Sequence, residues 1–159
     1  MYKIGQGIDF HQLVDNVQLI LGTIKIPFNK GSEGHSDGDV LLHSITDGIL
    51  GSMGEGDIGQ HFPSSDMKWK DANSSIFLKH AISLLYKKKY KIINIDSTII
   101  LQKPKISSYV SEMKKNISAI TQCQDISIKS TTTDYLGFVG KSLGICAIST
   151  ILIKKDNQE

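Results

Sequence analysis

Residues 35–47, His-Ser-Asp-Gly-Asp-Val-Leu-Leu-His-Ser-Ile-Thr-Asp, constrain this chain more than any other stretch. Val40, Leu41, Leu42, Ile45, Ile49 and Leu50 supply the apolar positions of a helix over about 39–52, with Asp37 or Gly38 expected to cap its start. Asp39, His43 and Asp47 stand four residues apart, so such a helix lines all three along one face. A lone histidine on an apolar helix is ordinarily packed into the core.

Gly7-Ile8-Asp9-Phe10-His11 shifts that balance. In a strand, Asp9 and His11 alternate onto one face. With His43 they make three nitrogen or oxygen ligands, which suits a catalytic zinc with one open position and falls short of a closed structural site. Asp47, one turn beyond His43, is the expected partner orienting its imidazole. His35 and Ser36, in the loop before the helix, add donors suited to an anionic oxygen.

All 18 basic residues are Lys and none is Arg, so the bidentate phosphate clamp that Arg provides is missing. A phosphate ligand must then be met by backbone N–H groups, hydroxyls, Lys charges and metal ions. A formal net charge of +2 gives no sign of a nucleic-acid partner. Lys87, Lys88, Lys89 and Lys91 form the one dense basic cluster; at the end of a helical stretch they suit its negative terminus as a solvated face. Cys123 and Cys146 lie far apart without CxxC spacing and read as reduced, partly buried thiols, not metal ligands.

No apolar run approaches the roughly 20 residues of a membrane span, so no membrane partner is expected. Tyr2-Lys3-Ile4-Gly5 begins a strand pattern at once and leaves no room for a leader peptide, so a cytoplasmic protein is expected. The 159 residues suit one domain, 1–159, with a real core.

Residues 2–12 read as a first strand and Val17–Pro27 as a hairpin turning at Gly22-Thr23. Residues 28–38 form a polar loop into the first helix. Gly51, Gly54, Gly56 and Gly59 then halt regular structure, and a long loop runs to about residue 71. Helical periodicity returns over Asn73–Tyr90 and over 106–121. Ile92–Leu101, Asp125–Lys129 and Gly144–Ile153 read as strands, the last with Ile145, Ala147, Ser149, Ile151 and Ile153 on one face. Hairpins, with too few crossovers for an all-parallel sheet, give an α+β expectation: one mixed sheet with helices on one face plus a small hairpin.

Four segments, Gly7–His11, His35–His43, Gly56-Asp57-Ile58-Gly59 and Thr131-Thr132-Thr133-Asp134-Tyr135-Leu136-Gly137-Phe138, resemble the 2-C-methyl-D-erythritol 2,4-cyclodiphosphate synthase family in its order and spacing. The likeness runs from about residue 2 to 154. It implies the α+β fold above and a homotrimer with sheets facing the central axis and active sites between protomers. It also implies zinc, or another divalent transition metal, on Asp9, His11 and His43, polarising a phosphoryl oxygen.

The resemblance places His35 and Thr132 as transition-state stabilisers, with Ser36 joining His35 in holding the attacking 2-phosphate. Asp57, followed by Ile58 and Gly59, receives the methylerythritol hydroxyls, a task that suits a two-oxygen acceptor. Phe62, Pro63, Ser64, Ser65 and Asp66 occupy the flanking substrate loop, where Ser64 departs from an expected Asp. Leu101, Gln102, Lys103, Pro104, Lys105, Ile106 and Ser107 match the cytidine pocket, whose backbone groups read the base and so tolerate Lys103 and Ile106. Thr131, Thr132 and Thr133 offer hydroxyls and N–H groups to the diphosphate.

Asp134 stands where Glu is common, as ligand to a Mg or Mn ion bridging the two phosphates; its shorter arm implies contact through water. Phe138 and Lys141 line the trimer's central cavity. Lys141 replaces an Arg and Ile148 the acid expected to pair with it, which implies a repacked axis.

The implied reaction converts 4-diphosphocytidyl-2-C-methyl-D-erythritol 2-phosphate to 2-C-methyl-D-erythritol 2,4-cyclodiphosphate and CMP, a step of non-mevalonate isoprenoid synthesis. Two other classes fit parts of the pattern. One is a zinc-dependent phosphohydrolase of nucleotide-linked substrates, with water as nucleophile at the same Asp-His-His site. The other is a non-catalytic nucleotide-binding module whose metal positions are structural. Neither accounts for the Gly-Asp-Ile-Gly loop, the cytidine pocket and the Thr motif occurring together.

Overall fold

The computed structural model describes residues 1–156. β1 (Tyr2–Asp15) is followed by the expected hairpin, β2 (Leu19–Leu21) and β3 (Ile24–Ile26), closed at Gly22-Thr23. Both turn residues take positive φ, 57° and 71°, as a tight two-residue hairpin requires. β1 runs three residues beyond its expected end. The reason is β4 (Lys30–Ser32), a short strand in the stretch read as loop, which pairs antiparallel with Leu13–Asp15.

α1 (Val40–Met53) is capped by Asp39 and not by Asp37 or Gly38. The Asp39 carboxylate accepts the N–H of Leu42 at 3.1 Å and also those of Gly22 and Thr23 at 3.0 and 2.8 Å. One buried side chain therefore starts the helix and ties it to the hairpin. Gly51 lies inside α1, and Gly54, at φ 73°, ends it.

α2 (Ile58–His61) and a 3-10 turn at Met67–Trp69 break up the expected long loop. α3 (Ser75–Lys87) stops before Tyr90 because Lys89 turns to φ 58° and Tyr90 opens β5 (Tyr90–Ile100). Lys91 therefore stands on a strand, paired with Asp156, while Lys88 pairs with Glu55. A 3-10 turn at Ser107–Tyr109 leads into α4 (Val110–Thr121), and β6 (Ile126–Thr131), α5 (Gly137–Gly140) and β7 (Gly144–Lys155) follow.

The main sheet has the order β4-β1-β7-β5-β6, antiparallel except for the β5–β6 pair, with β2 and β3 forming the separate hairpin. This is the mixed α+β sheet expected. Ile145, Ala147, Ser149, Ile151 and Ile153 of β7 all lie buried under the helices. Strand β1 presents Gly5 and Gly7 to α1, and the fit is backbone against backbone. A Cβ at Gly7 would lie 1.9 Å from the Ser44 carbonyl oxygen, and one at Gly5 1.9 Å from that of Gly48. The alternate residues of β1 face the other way: Tyr2, Ile4, Ile8 and Phe10 are 59, 70, 48 and 59% exposed. That face carries apolar side chains which, among the described residues, meet only the short α5, where Phe138 packs against Phe10. No helix among the described residues is long and apolar enough to cross a membrane.

Candidate metal centre and substrate cleft

β1 and α1 meet at the glycine contact, and this brings Asp9, His11 and His43 together. His11 Nε2 and His43 Nδ1 lie 2.9 and 3.0 Å from Asp9 Oδ2 and 3.3 Å from each other. Ligands held about 2.0–2.2 Å from one zinc ion at tetrahedral angles lie roughly 3.3–3.6 Å apart, so the triangle, with edges of 2.9, 3.0 and 3.3 Å, is within a few tenths of an ångström of that spacing. The far side of each ring supports the same orientation. His11 Nδ1 sits 2.6 Å from the Glu33 carbonyl oxygen, which can only accept, so Nδ1 carries a hydrogen and Nε2, facing the triangle, is the nitrogen left to give its lone pair to a metal.

The charges agree. Burial pushes the Asp9 carboxyl up, but hydrogen bonds and attraction from His11 and His43 outweigh it and hold the group at about 2. Burial likewise lowers His11, and its hydrogen bond and charge attraction to Asp9 overcome this and raise it above 6.5. An anion that stays ionised and favours the charged form of His11 beside it makes a site preorganised for a cation.

The expected face of Asp39, His43 and Asp47 divides among three tasks. Asp39 is the cap. Asp47 does not orient His43: its Oδ1 accepts the Ile58 N–H at 2.7 Å, anchoring the start of α2. Burial raises the Asp47 carboxyl, with that N–H opposing the shift. The groups that do meet His43 Nε2 are the hydroxyls of Ser74 at 2.8 Å and Ser36 at 3.1 Å. Ser74 is not marked by any spacing in the sequence, where it reads only as the beginning of a helix.

A cleft of about 370 Å³ opens beside the triangle, lined by His35, Ser36, Ile58, Gly59, Phe62, Pro63, Ser64 and Ser65 among others. Its apolar wall is an aromatic cluster, with Phe62 4.8 Å from Trp69 and 4.6 Å from Phe77 between ring centroids. Trp69 and Phe77 line the cleft too, and no motif in the sequence marks them. Asp57 caps α2 through Gln60, and Asp66 turns its backbone carbonyl toward His35 Nε2 at 3.2 Å.

The remaining site residues gather elsewhere. Leu101 and Thr131 are joined by a backbone hydrogen bond, and Gln102 Oε1 accepts the Tyr135 N–H at 3.2 Å. The segment from Leu101 through Lys103, Pro104, Lys105 and Ile106 to Ser107 therefore adjoins the turn containing Thr132, Thr133 and Asp134. Pairing across the sheet runs Asp9–Ala147–Ile99–Ser130, so the Thr turn lies three strands, about 14 Å, from the metal triangle. Thr131 alternates onto the open face. Phe138 lies there too, 6.3 Å from Phe10, and Lys141 ends α5. The Thr133 hydroxyl donates to the Leu136 carbonyl at 2.7 Å. Cys123 and Cys146 are free and buried, and burial pushes the Cys146 thiol up to about 11.

Fold and site together define an α+β protein whose cleft carries a three-ligand centre suited to a divalent metal. Residues 2–154 match the YgbB family, and the chain belongs to it. It is 49% identical over 157 residues to the 2-C-methyl-D-erythritol 2,4-cyclodiphosphate synthase of Bacillus subtilis, covering 98% of this chain and 99% of that protein. Identity is also 49%, over 155 residues, to the protein of the same name from Caldicellulosiruptor bescii, covering 96% of this chain and 99% of that one.

Among solved structures, IspF of Plasmodium falciparum in complex with CDP matches at TM-score 0.87 and 40% identity, covering 98% of this chain and 97% of that one. The bifunctional IspDF of Campylobacter jejuni matches at TM-score 0.93 and 39% identity; 98% of this chain is covered but only 42% of that longer one. The resemblance carried by the four sequence segments holds over the whole alignment.

Proposed function

We propose that this protein converts 4-diphosphocytidyl-2-C-methyl-D-erythritol 2-phosphate to 2-C-methyl-D-erythritol 2,4-cyclodiphosphate and CMP. One observation carries the reading: the metal triangle, the His35–Ser36 pair and the Ile58–Ser65 wall share one cleft. The end-to-end identity to proteins of that name supports it.

An oxygen of the 2-phosphate bonds to the β-phosphorus, the bond from that phosphorus to the bridging oxygen breaks, and CMP leaves with the electron pair. The nucleophile is already an anion, so positioning and charge neutralisation are the protein's work. Zinc, or a similar divalent ion, held by Asp9, His11 and His43 would polarise a phosphoryl oxygen. His35, steadied by the Asp66 carbonyl, and the Ser36 hydroxyl receive the 2-phosphate. Asp57 accepts hydroxyls of the methylerythritol, and the Phe62–Trp69–Phe77 wall keeps water from the phosphates.

The reading includes a homotrimer with shared sites. Two features support it: the largely uncovered apolar face of β1, and the distance between the cleft and the Thr turn of the same chain. Thr132 and the cytidine segment Leu101–Ser107 of a neighbouring copy complete each cleft. Asp134 there would hold, through water, a Mg or Mn ion that neutralises charge on the diphosphate. Phe138 and Lys141 face the axis.

Phosphorus NMR of the purified protein with the cytidyl diphosphate and Mg²⁺, with and without a zinc chelator, tests the proposal. A cyclic diphosphate signal with equimolar CMP, lost on chelation, is expected. Inorganic phosphate or linear phosphates would replace this reading with a hydrolase.

A further inference from the structure

The hydroxyl of Ser74 is placed unusually for a residue at the start of a helix. Ser at that position ordinarily turns its oxygen onto the N–H groups of the first turn. Ser74 precedes α3, yet its side chain makes no such cap bond. The residue is fully buried, and its Oγ lies 2.8 Å from His43 Nε2 and in hydrogen-bond contact with Asp37 Oδ1. Asp37 Oδ2 accepts the Ser74 backbone N–H at 3.0 Å, and the Asp37 N–H donates to the Ala72 carbonyl at 3.1 Å. Asp37 and Ser74 are thus locked together from both main chain and side chain.

The direction of each bond follows from what the groups can do. A carboxylate has no hydrogen to give, so the single Ser74 O–H points at Asp37. The Ser74 oxygen can then only accept from His43, which puts the ring hydrogen on Nε2. With Nε2 protonated, Nδ1 faces Asp9 and His11, 3.0 and 3.3 Å away, and is the nitrogen left to give its lone pair to a metal ion held among them. Ser36 Oγ, 3.1 Å from the same Nε2, shares that hydrogen, and its own O–H stays available to an anion.

We infer that Asp37 and Ser74 are positioning residues: a partly buried carboxylate and a fully buried hydroxyl form a relay that sets the His43 tautomer and aims its Nδ1 lone pair at the metal position. The inference rests on Asp9, His11 and His43 being a metal site. It concerns residues whose contact is with a ligand side chain and not with substrate. It also divides the 35–47 motif by task. His35 and Ser36 face the cleft, Asp37 reaches behind His43 to Ser74, and Asp39 caps the helix.

The test compares Ser74→Ala and Asp37→Asn in the full chain, with circular dichroism as the folding check. Two quantities are read: zinc affinity by competition with a chromogenic chelator, and the His43 tautomer in metal-free protein by nitrogen-15 NMR of the imidazoles. The parent is expected to carry a hydrogen on Nε2, whatever Asp9 does at Nδ1. Ser74→Ala should weaken zinc binding roughly 10- to 100-fold, the usual range for loss of a group that orients a ligand. Its tautomer should remain partly Nε2–H through Ser36.

Asp37→Asn keeps the shape but reverses the hydrogens at Ser74, and it gives up the Asp39 N–H that Oδ1 also accepts at 3.3 Å. The amide oxygen stays on the Ser74 N–H, the NH₂ donates to Ser74 Oγ, and that hydroxyl must donate onward to His43. This variant should therefore shift His43 toward Nδ1–H and lose at least as much affinity as Ser74→Ala. If Ser74→Ala does not fold, the isosteric Asp37→Asn carries the test by itself. Parental affinity and an unchanged tautomer in Asp37→Asn would overturn the relay. A parent that takes up no zinc would overturn the metal site, while the tautomer in the metal-free protein still decides the relay.

Discussion

Gly7→Ala tests how closely the metal centre depends on the packing of α1 against β1. The added Cβ would lie 1.9 Å from the Ser44 carbonyl oxygen, 2.7 Å from the Gly48 nitrogen and 2.9 Å from the Asp47 Cβ. Two of these atoms are helix backbone, so no side-chain rotation relieves the contact. Carbon and oxygen settle no closer than about 3.3 Å, so α1 must lift from β1 by more than 1 Å or so. Ser44 adjoins His43 and Gly7 is two residues from Asp9, so the lift falls on the ligand triangle itself. Separations of 2.9–3.3 Å between ligand atoms then open past what one small ion can span.

Overpacking of this kind costs about 1–3 kcal/mol. For a chain of this size that lowers the melting temperature by roughly 2–12 °C, compared at fixed protein concentration. The assays are thermal unfolding and zinc stoichiometry after dialysis. Gly51→Ala in the same helix is the control, since its nearest neighbour would be the Gln6 carbonyl oxygen at 3.9 Å. It should raise stability by about 0.4–1 kcal/mol and leave zinc in place. A Gly7→Ala protein with equimolar zinc and a parental melting temperature would refute the argument that helix–strand contact sets the site.

Acid should release the metal from a higher pH than an ordinary histidine would set, because His11 holds its proton above 6.5. Below that point the His11 proton competes for the site, so zinc affinity should fall at least about tenfold per pH unit; a flat calorimetric profile down to pH 5 would contradict this. Asp9, held at about 2, stays ionised through this range and adds no slope of its own. Asp57→Ala should raise KM while zinc stoichiometry stays at parental level, and unchanged KM and kcat would remove Asp57 from substrate binding. Mixing His35→Ala with Thr132→Ala protein under subunit exchange should restore roughly a quarter of parental activity if each site draws on two copies in a ring. No recovery, with mixed oligomers shown by mass spectrometry, would put both residues in one chain's site.

The sequence alone carried the class of the site. Period-two alternation put Asp9 and His11 on one strand face, the apolar helix carried His43, and the donor set read as a cation site. Local periodicity also placed the hairpin and the inward face of β7. These features were legible because they depend on residues near one another in the chain. Asp39, His43 and Asp47 show where that reading stops. Their shared helix face was correct, but packing turned Asp39 to the hairpin turn and Asp47 to the start of α2.

Tertiary structure alone decided what stands behind each ligand. The Glu33 carbonyl behind His11 is a backbone group that every residue carries, so no residue type announces it. Ser74 reads as a helix start until α3 docks against α1 and its hydroxyl meets His43. Gly5 and Gly7 carry no chemistry, yet the closeness they permit brings β1 to α1 at the distance the triangle needs. A ligand's identity is written in its side chain, but its tautomer and aim are set by whichever groups the packed chain brings within about 3 Å, and those are fixed only when the elements dock.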